Sequence, residues 1–266
     1  MYNLSVISSF GLDLFFQTEK PCELYVDIVP SSPKEKIRVL WIIEPNEVSG
    51  FRQNAINNCD KFDLILTWDE NILQSCPNAK LFPYGTTWVK DFIFSEKEFA
   101  ITTLIGGKTQ CSGHVLRHSL PQALTKVKNI PYYIYNSINT AFPHNEGFRT
   151  MKTNIWKNEI FFSQFHIVIE NVSSNNWFTE KLIDCFQTKT VPIYLGCENI
   201  GNFFDKRGIF HVKNLEELVE VSDKLNPSTY NEMKDFIEFN YEESMKYNNY
   251  KLRLENTIKE FISKNN

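Results

Sequence analysis

Short apolar runs recur along the chain, and each has the length of a buried β-strand. Polar turns and helix-like segments lie between them. The predicted strands cover residues 1–10, 22–29, 36–43, 62–67, 80–84, 101–105, 132–135, 165–169, 191–195 and 208–212. The predicted helices cover residues 49–59, 114–127, 214–225 and most of 230–265, and a further helix begins near Thr179. This alternation is typical of an α/β protein with parallel sheets.

A charged segment at residues 95–100 divides the strands into two series. With 266 residues, the chain is long enough for two domains. We therefore predict one α/β domain over residues 1–97 and a second over residues 98–240, with a cleft between them. A C-terminal helix over residues 241–266 is predicted to pack back on the first domain. Residues 138–150 are predicted to form a polar loop.

The segment from residue 165 to residue 196 shows a strand, a polar loop, a helix and a second strand. In such a βαβ unit, the ligand site lies beyond the carboxyl ends of the strands. The polar residues at that edge are Glu170, Asn171, Thr179, Glu180 and Lys181. A polar cluster between two buried strands is where we expect the chemistry.

Two cations are predicted to lie near helix N-termini, where backbone N–H groups and the helix dipole favour an anion. They are Arg117 and Lys181. A guanidinium can bind phosphate with two hydrogen bonds, and an ammonium adds a compact charge. Together they could hold a diphosphate without a metal. The alternative is that Lys181 is a solvated lysine of the first helical turn.

A carboxylate is predicted at the carboxyl end of the strand over residues 36–43. Glu44 follows that strand, and Pro45 forces extended geometry on it. Glu44 is therefore a candidate functional carboxylate, and Glu47 is the alternative. The other interpretation of Glu44 is a strand-end glutamate in solvent.

The composition and the charge of the chain argue against several classes of function. The net charge of −4 gives no general case for nucleic-acid binding, and no apolar run is long enough to span a membrane. The N-terminus lacks a basic start, so we expect a cytoplasmic setting; the Lys- and Glu-rich C-terminal tail leaves peripheral membrane contact as an alternative. The six cysteines show no C-x-x-C spacing, and reduced thiols are favoured.

The sequence contains no G-x-G-x-x-G, Walker P-loop or H-E-x-x-H pattern. We therefore expect neither a bound cofactor nor a metal site. His114 and His118, four residues apart, are only a weak candidate for a metal pair because the glutamate of the zinc motif is missing.

Three ordered motifs resemble a known family. The first is Phe165-x-x-x-x-Glu-Asn, then Trp177-Phe-Thr-Glu-Lys, then Val191-Pro-Ile-Tyr-Leu-Gly. The second is Trp41-Ile-Ile-Glu-Pro-Asn, and the third is Phe62-Asp-Leu-Ile-Leu-Thr-Trp-Asp followed by Phe82-Pro-Tyr-Gly. Together they resemble the α-1,3/4-fucosyltransferases, glycosyltransferase family 10.

The resemblance implies a GT-B fold, in which two Rossmann-like domains face a cleft. Residues 1–97 would be the acceptor-side domain, and residues 98–240 would bind the nucleotide sugar. It implies an inverting, metal-independent transfer from GDP-fucose to a saccharide or glycoconjugate. Glu44 would be the base, on the wall opposite Arg117 and Lys181.

The resemblance also implies roles for the donor-binding residues. Glu180 would bind the ribose hydroxyls, while Lys181 and Arg117 would face the diphosphate. Trp177 would pack near the nucleotide base or the sugar of the donor. The donor-sugar pocket would be lined by Glu170 and Asn171, and Thr179 belongs to the same motif.

One departure from the family pattern concerns the candidate base. Pro45 replaces the serine or asparagine that follows the glutamate in the family, so the loop is expected to differ. Two alternatives remain at this point. One is a related transferase with another nucleotide sugar, and the other is a non-catalytic saccharide-binding protein on the same scaffold.

Overall fold

The computed structural model describes residues 1–8, 12, 14–136, 148–150 and 157–265. Its strands are β1 (Tyr2–Asn3), β2 (Ser5–Ser8), β3 (Gln17–Thr18), β4 (Cys22–Val26), β5 (Ile37–Trp41), β6 (Leu64–Thr67), β7 (Ala79–Leu81), β8 (Glu98–Ile105), β9 (Tyr132–Asn136), β10 (Phe148–Thr150), β11 (Ser163–Ile169), β12 (Val191–Leu195) and β13 (Phe210–His211). Its α-helices are α1 (Asn46–Ser49), α2 (Arg52–Asn57), α3 (Glu70–Ser75), α4 (Ser112–Leu124), α5 (Glu180–Gln187), α6 (Leu215–Lys224), α7 (Thr229–Glu232), α8 (Lys234–Ser244) and α9 (Tyr250–Lys264). Short 3-10 helices cover Cys59–Lys61, Lys157–Phe161, Ile200–Asn202, Lys206–Gly208 and Met245–Tyr247.

The first compact unit consists of Met1–Tyr84, Asn175–Trp177 and Asn249–Asn266. Its main sheet is five-stranded and parallel, in the order β2-β4-β5-β6-β7. The central strands are mostly apolar and buried, as expected when both faces of a parallel sheet are covered. One face of α9 carries Leu254, Ile258 and Ile262 at four-residue spacing, and these side chains join the core of this unit.

The second compact unit consists of Gly85–Ser174 and Phe178–Asn248. Its six-stranded sheet is parallel, in the order β10-β9-β8-β11-β12-β13. The chain runs outward from β8 to β10 and then returns to the other side of β8. The strand order therefore reverses between β8 and β11, which is the switch point where α/β proteins bind ligands.

The structure corrects three details of the predicted elements. The first predicted strand is split into β1 and β2 around Leu4, whose side chain is buried and whose N–H donates to the Phe16 carbonyl. The helix predicted over residues 49–59 is replaced by α1 and α2, because Gly50 takes a left-handed φ of 64° and ends α1. Phe148–Thr150, predicted as loop, forms the edge strand β10, whose backbone groups on one side pair with β9. Residues 138–147 of the predicted loop lie outside the described residues.

The second unit begins at Gly85, upstream of the charged segment where the sequence predicts a domain boundary. The division of the chain into domains over residues 1–97, 98–240 and 241–266 stays a prediction. Within the described residues, none of the helices combines the length and the apolar character needed to cross a bilayer.

Candidate active site

The predicted strand–helix–strand unit is present as β11, α5 and β12. The two strands are parallel neighbours, with Phe165 opposite Val191 and Ile169 opposite Leu195. Their carboxyl ends therefore meet at one edge of the sheet, where the Glu170 N–H donates to the Leu195 carbonyl at 2.9 Å. Because β11 is also a strand of the switch point, this edge is where a ligand is expected.

Glu170 is a buried carboxylate that holds the start of α5 against the end of β11. It is 1% exposed, and its oxygens accept the Thr179 N–H and the Thr179 hydroxyl, each at 2.8 Å. Gly196 makes room for it, because a Cβ there would lie 2.6 Å from Glu170 Cγ. Glu170 therefore fixes the position of Thr179 from the buried side of the site, and its contact with the donor sugar stays a prediction.

Thr179 is the N-cap of α5. Its backbone is extended, and its hydroxyl oxygen accepts the Lys181 N–H at 3.3 Å. Threonine is a favoured N-cap because its side chain binds an N–H group that has no partner inside the helix. The same hydroxyl lies 3.0 Å from Lys181 Nζ. This residue thus links the buried Glu170 to the first turn of α5.

Lys181 and Glu180 form an ionic cluster at the N-terminus of α5. Lys181 Nζ lies 3.3 Å from Glu180 Oε1 and 3.6 Å from Glu170 Oε2. Burial alone would raise the pKa of the Glu180 carboxyl, but the charges of Lys181 and Lys157 outweigh burial and lower that pKa to about 2. Glu180 is therefore ionised at neutral pH and able to accept hydrogen bonds.

Lys157 and Asp184, neither of them predicted as a site residue, extend the cluster along α5. Lys157 Nζ lies 2.9 Å from Asp184 Oδ2 and 3.8 Å from Glu180 Oε1. Burial disfavours the charge on Lys157, but the two carboxylates outweigh it and raise its pKa. Asp184 also accepts the Trp88 N–H at 2.8 Å. The four-residue spacing of Glu180 and Asp184 on a buried helix face could have revealed Asp184, whereas no sequence signal marks Lys157.

Arg117 and Asn171 meet where α4 begins. The guanidinium of Arg117 donates to the Asn171 side-chain oxygen and, at 3.1 Å, to the Gly113 carbonyl. The Gly113 N–H donates to the Asn171 carbonyl at 3.0 Å. Burial lowers the pKa of Arg117, and the charges of Glu170 and Glu180 oppose that change. Because the guanidinium pKa is so high, Arg117 stays charged.

The six predicted residues of the second unit therefore gather at one edge of its sheet. These are Arg117, Glu170, Asn171, Thr179, Glu180 and Lys181. Lys181 lies in the first turn of α5, where backbone N–H groups have no partner inside the helix. Arg117 was predicted in a first turn as well, but α4 begins at Ser112, so Arg117 lies in its second turn and only its side chain reaches back to Gly113. Such a site can bind an anion and, through Glu180, a hydroxyl group.

Trp177 belongs to the first unit. Its ring is 2% exposed and packs against Trp68, with centroids 4.7 Å apart, and against Tyr84 at 6.2 Å. The neighbouring Asn176 donates its side-chain N–H to the Trp68 carbonyl at 3.2 Å. In this state the ring is part of an aromatic core, and its contact with a nucleotide base or sugar stays a prediction.

Glu44 lies at the carboxyl edge of the first unit's sheet, two residues beyond Ile42. It is half-buried, whereas Glu47 is exposed in α1. The N–H groups of Ile43 and Glu44 donate to the carboxylate of Asp27. Asp27 was not predicted as a site residue, although it directly follows the buried strand β4 and its position alone could have marked it. The role of either glutamate as a base stays a prediction.

The candidate metal pair on α4 is occupied by protein contacts. His114 Nδ1 lies 2.9 Å from Cys111 Sγ, and His118 Nε2 lies 3.0 Å from the Gly106 carbonyl. In the part of the chain that the structure describes, no group of three or more His, Cys, Asp and Glu side chains is arranged like a set of metal ligands.

Comparison with solved structures defines the class of the fold. A crystal structure of alpha1,3-fucosyltransferase superimposes with a TM-score of 0.53 at 14% identity, covering 80% of this chain and 68% of that one. The apo structure of OtsA superimposes with a TM-score of 0.63 at 10% identity, covering 92% of this chain and 73% of that one. Both similarities, with the parallel sheets, confirm the predicted α/β fold of GT-B type.

Comparison of sequences then identifies the family. The sequence model described as "Glycosyltransferase family 10 (fucosyltransferase) C-term" matches residues 99–262. The Alpha-(1,3)-fucosyltransferase FucT of Helicobacter pylori is 28% identical over 99 residues, which is 35% of this chain and 21% of that protein. The chain therefore belongs to glycosyltransferase family 10, as its motifs predicted. The alignment spans about a fifth of that relative, and Glu44 lies outside the family match.

Proposed function

We propose that this protein is an inverting, metal-independent glycosyltransferase that moves fucose from GDP-fucose to a hydroxyl group of a glycan acceptor. The observation that carries the proposal is the cluster that brings Arg117, Glu180 and Lys181 to one edge of the sheet. A nucleoside diphosphate sugar needs cations for its phosphates and an acceptor for its ribose hydroxyls. A similar alpha1,3-fucosyltransferase, with a TM-score of 0.50, was crystallised with GDP-fucose, and this supports the choice of donor.

The charges of the cluster favour Lys181 as the group that meets the diphosphate. Its side chain is 23% exposed, against 11% for Lys157, which is held by Asp184. Glu170 is satisfied by Thr179, so Lys181 can turn toward an incoming phosphate without leaving Glu170 unpaired. The N-terminus of α5 adds its dipole at the same point. We assign Glu180 to the ribose because it is the ionised acceptor beside that lysine.

The reaction requires one base and stabilisation of one leaving group. The acceptor oxygen forms a bond to the anomeric carbon while the bond from that carbon to the phosphate oxygen breaks. The hydroxyl proton goes to Glu44, and GDP leaves with the electron pair of the broken bond. Arg117 and Lys181 stabilise the negative charge that develops on the diphosphate, a task for which other transferases use a metal ion.

We also propose a reducing, cytoplasmic setting for the protein. Its six cysteines are free thiols, and five of them are buried. Free thiols are typical of reducing compartments. Fractionation of the native host cells tests this, and recovery of the protein outside the cytoplasm would contradict it.

Transfer is tested by incubating the protein with GDP-fucose, EDTA and a panel of GlcNAc- and galactose-terminated acceptors. We expect GDP release and a fucosylated product whose anomeric configuration, read by NMR, is opposite to that of the donor. Activity that disappears in EDTA would refute metal independence, and retained configuration would refute inversion. Glycan binding without turnover of any sugar nucleotide would instead indicate a saccharide-binding protein on this scaffold.

The donor is tested separately by thermal unfolding in the presence of GDP- and UDP-sugars, because a ligand that binds the folded state stabilises it. Arg117, Glu180 and Lys181 are assigned to nucleotide and phosphate, so they leave the sugar open. A larger shift with another sugar nucleotide than with GDP-fucose would favour a related transferase with that donor.

A further inference from the structure

Asp27 follows β4 and has an unusual backbone conformation. Its φ is +50°, in the left-handed region that residues other than glycine rarely adopt. Aspartate tolerates this region better than most residues, but such strain persists only where surrounding contacts enforce it. The contacts of Asp27 should therefore show what the strain maintains.

Both carboxylate oxygens of Asp27 accept hydrogen bonds from the backbone just beyond β5. Oδ1 accepts the Ile43 N–H at 3.0 Å, and Oδ2 accepts the Glu44 N–H at 3.1 Å. The Asp27 N–H donates to the Trp41 carbonyl at 3.2 Å, next to the last paired residues of the two strands. The left-handed backbone of Asp27 thus goes together with a side chain that binds the N–H groups of Ile43 and Glu44.

The same stretch is held from the other side by the end of β6. Trp68, which is 1% exposed, donates its indole N–H to the Ile43 carbonyl at 3.1 Å. Pro45 has a φ of −61° and restricts the backbone of the residue before it. Both backbone polar groups of Ile43 and the N–H of Glu44 are therefore bound. These contacts fix the position of the Glu44 main chain.

The two carboxyl groups at this edge are also electrostatically linked. Burial raises the pKa of the Asp27 carboxyl to about 6; the two backbone hydrogen bonds oppose this, and the charge of Glu44 adds to it. Asp27 is thus ionised at neutral pH. When it gains a proton, one oxygen becomes a donor, and one of the two amides loses its acceptor. The hold on Glu44 is therefore expected to weaken below about pH 6.

We propose that Asp27 is a positioning residue that fixes the main chain of Glu44 for proton transfer from the acceptor hydroxyl. The inference rests on the proposed function, in which Glu44 is the general base. Asp27 does not need to touch a substrate, since it acts through the two amides that it binds. A base must lie within hydrogen-bond reach of its proton, and a misplacement of about 1 Å can slow a reaction about 100-fold.

The test uses the full chain with the substitutions Asp27→Asn and Asp27→Gly. Asparagine keeps the size and tolerates the left-handed backbone, but it offers one acceptor oxygen in place of two. Glycine removes the carboxylate and relieves the strain, because it adopts positive φ freely. We expect kcat to fall about 10- to 100-fold in both variants. We expect KM for GDP-fucose to change by less than about twofold, because donor binding is not touched.

The pH profile separates positioning from general stability. In the wild type, we expect kcat to fall in a step near pH 6, where Asp27 gains a proton. In Asp27→Asn that step should be missing, and the rate should be low on both sides of it. The matched control is Asp91→Gly, which relieves a φ of 47° at an exposed position. It should leave kcat and the pH step unchanged.

The outcomes separate this inference from the proposed function. If Glu44→Ala abolishes transfer but both Asp27 variants keep the wild-type kcat and pH step, Asp27 is not a positioning residue. If Glu44→Ala retains full activity, Glu44 is not the base and the inference about Asp27 fails, while the transferase function stands. If the wild type itself transfers no sugar, the proposed function fails. Should Asp27→Gly fail to fold, the Asp27→Asn profile alone decides.

Discussion

Replacement of Gly113 by alanine should loosen the candidate donor site. A Cβ at Gly113 would lie 1.8 Å from the Glu170 carbonyl oxygen and 2.8 Å from the Asn171 carbonyl oxygen. Carbon and oxygen atoms that are not bonded to each other do not approach this closely. Because both neighbours are backbone atoms, the start of α4 and the end of β11 must move apart by about an ångström or more.

The size of the effect follows from three contributions. Overpacking of this kind destabilises a protein by about 1–3 kcal/mol. Loss of the hydrogen bond from the Gly113 N–H to the Asn171 carbonyl lowers the stability by about 1 kcal/mol more. The higher helix propensity of alanine raises the stability by about 1 kcal/mol. We expect a net loss of about 2 kcal/mol, which lowers Tm by roughly 4–8 °C for a unit of this size.

Donor binding should weaken as well, because Arg117 is anchored to the displaced segment. Its guanidinium binds the Gly113 carbonyl and the Asn171 side chain. A hydrogen bond to a charged group contributes about 1.5–3 kcal/mol, so losing the Arg117 contact should weaken GDP-fucose binding roughly 10- to 150-fold. Calorimetry gives both quantities, as an unfolding scan and as a titration with GDP-fucose.

Gly106→Ala is the matched control. A Cβ at Gly106 has no atom within 4 Å, so this variant should keep the wild-type Tm and donor affinity. A Gly113→Ala protein with wild-type Tm and affinity would refute the close packing of α4 on β11, and with it the placement of Arg117.

Three further predictions concern the ionic cluster. Lys181→Ala should weaken donor binding roughly 30- to 150-fold in a titration, because about 2–3 kcal/mol of charge-assisted contact is lost. The control Lys224→Ala, at an exposed ion pair, should keep the wild-type affinity, and an equal affinity of Lys181→Ala would exclude the phosphate role of Lys181. Lys157→Met should lower the free energy of unfolding, measured in urea, by about 3–5 kcal/mol, because it leaves the buried carboxylate of Asp184 without its partner. A loss below about 1 kcal/mol would contradict a stabilising role of this ion pair. The lowered pKa of Glu180 should add roughly 3 kcal/mol to the free energy of unfolding above pH 4.5, and this stability should be lost as the pH falls toward about 2. Glu180→Gln should therefore make the free energy of unfolding less dependent on pH in this window, and an unchanged dependence would refute the lowered pKa of Glu180.

The donor-side cluster could be predicted from sequence because its signals are local. Val191–Leu195 is an apolar run of strand length, and Thr179 precedes a helix as an N-cap should. These features place Glu180 and Lys181 at a helix start beside a strand end, which is where the structure has them. The family motif then names the ligand that such a site is expected to take.

Other features could not be predicted because they depend on contacts distant in sequence. Lys157 meets Asp184 only after the second unit has folded, and a single lysine carries no pattern of its own. Asp27 resembles any polar residue that ends a strand until its two hydrogen bonds are known. Trp177 matches an aromatic position of the family, but its ring joins the core of the first unit beside Trp68.

One experiment bears on both the transfer and its base: the rate of GDP release from GDP-fucose in the presence of acceptor glycans, compared between the wild type and Glu44→Ala. We expect acceptor-dependent release by the wild type in EDTA. We expect a rate lower by about 100-fold or more in Glu44→Ala, since a positioned base contributes about 100- to 10,000-fold. Absence of acceptor-dependent release with any sugar nucleotide would refute the transfer, and equal rates for the two proteins would refute Glu44 as its base.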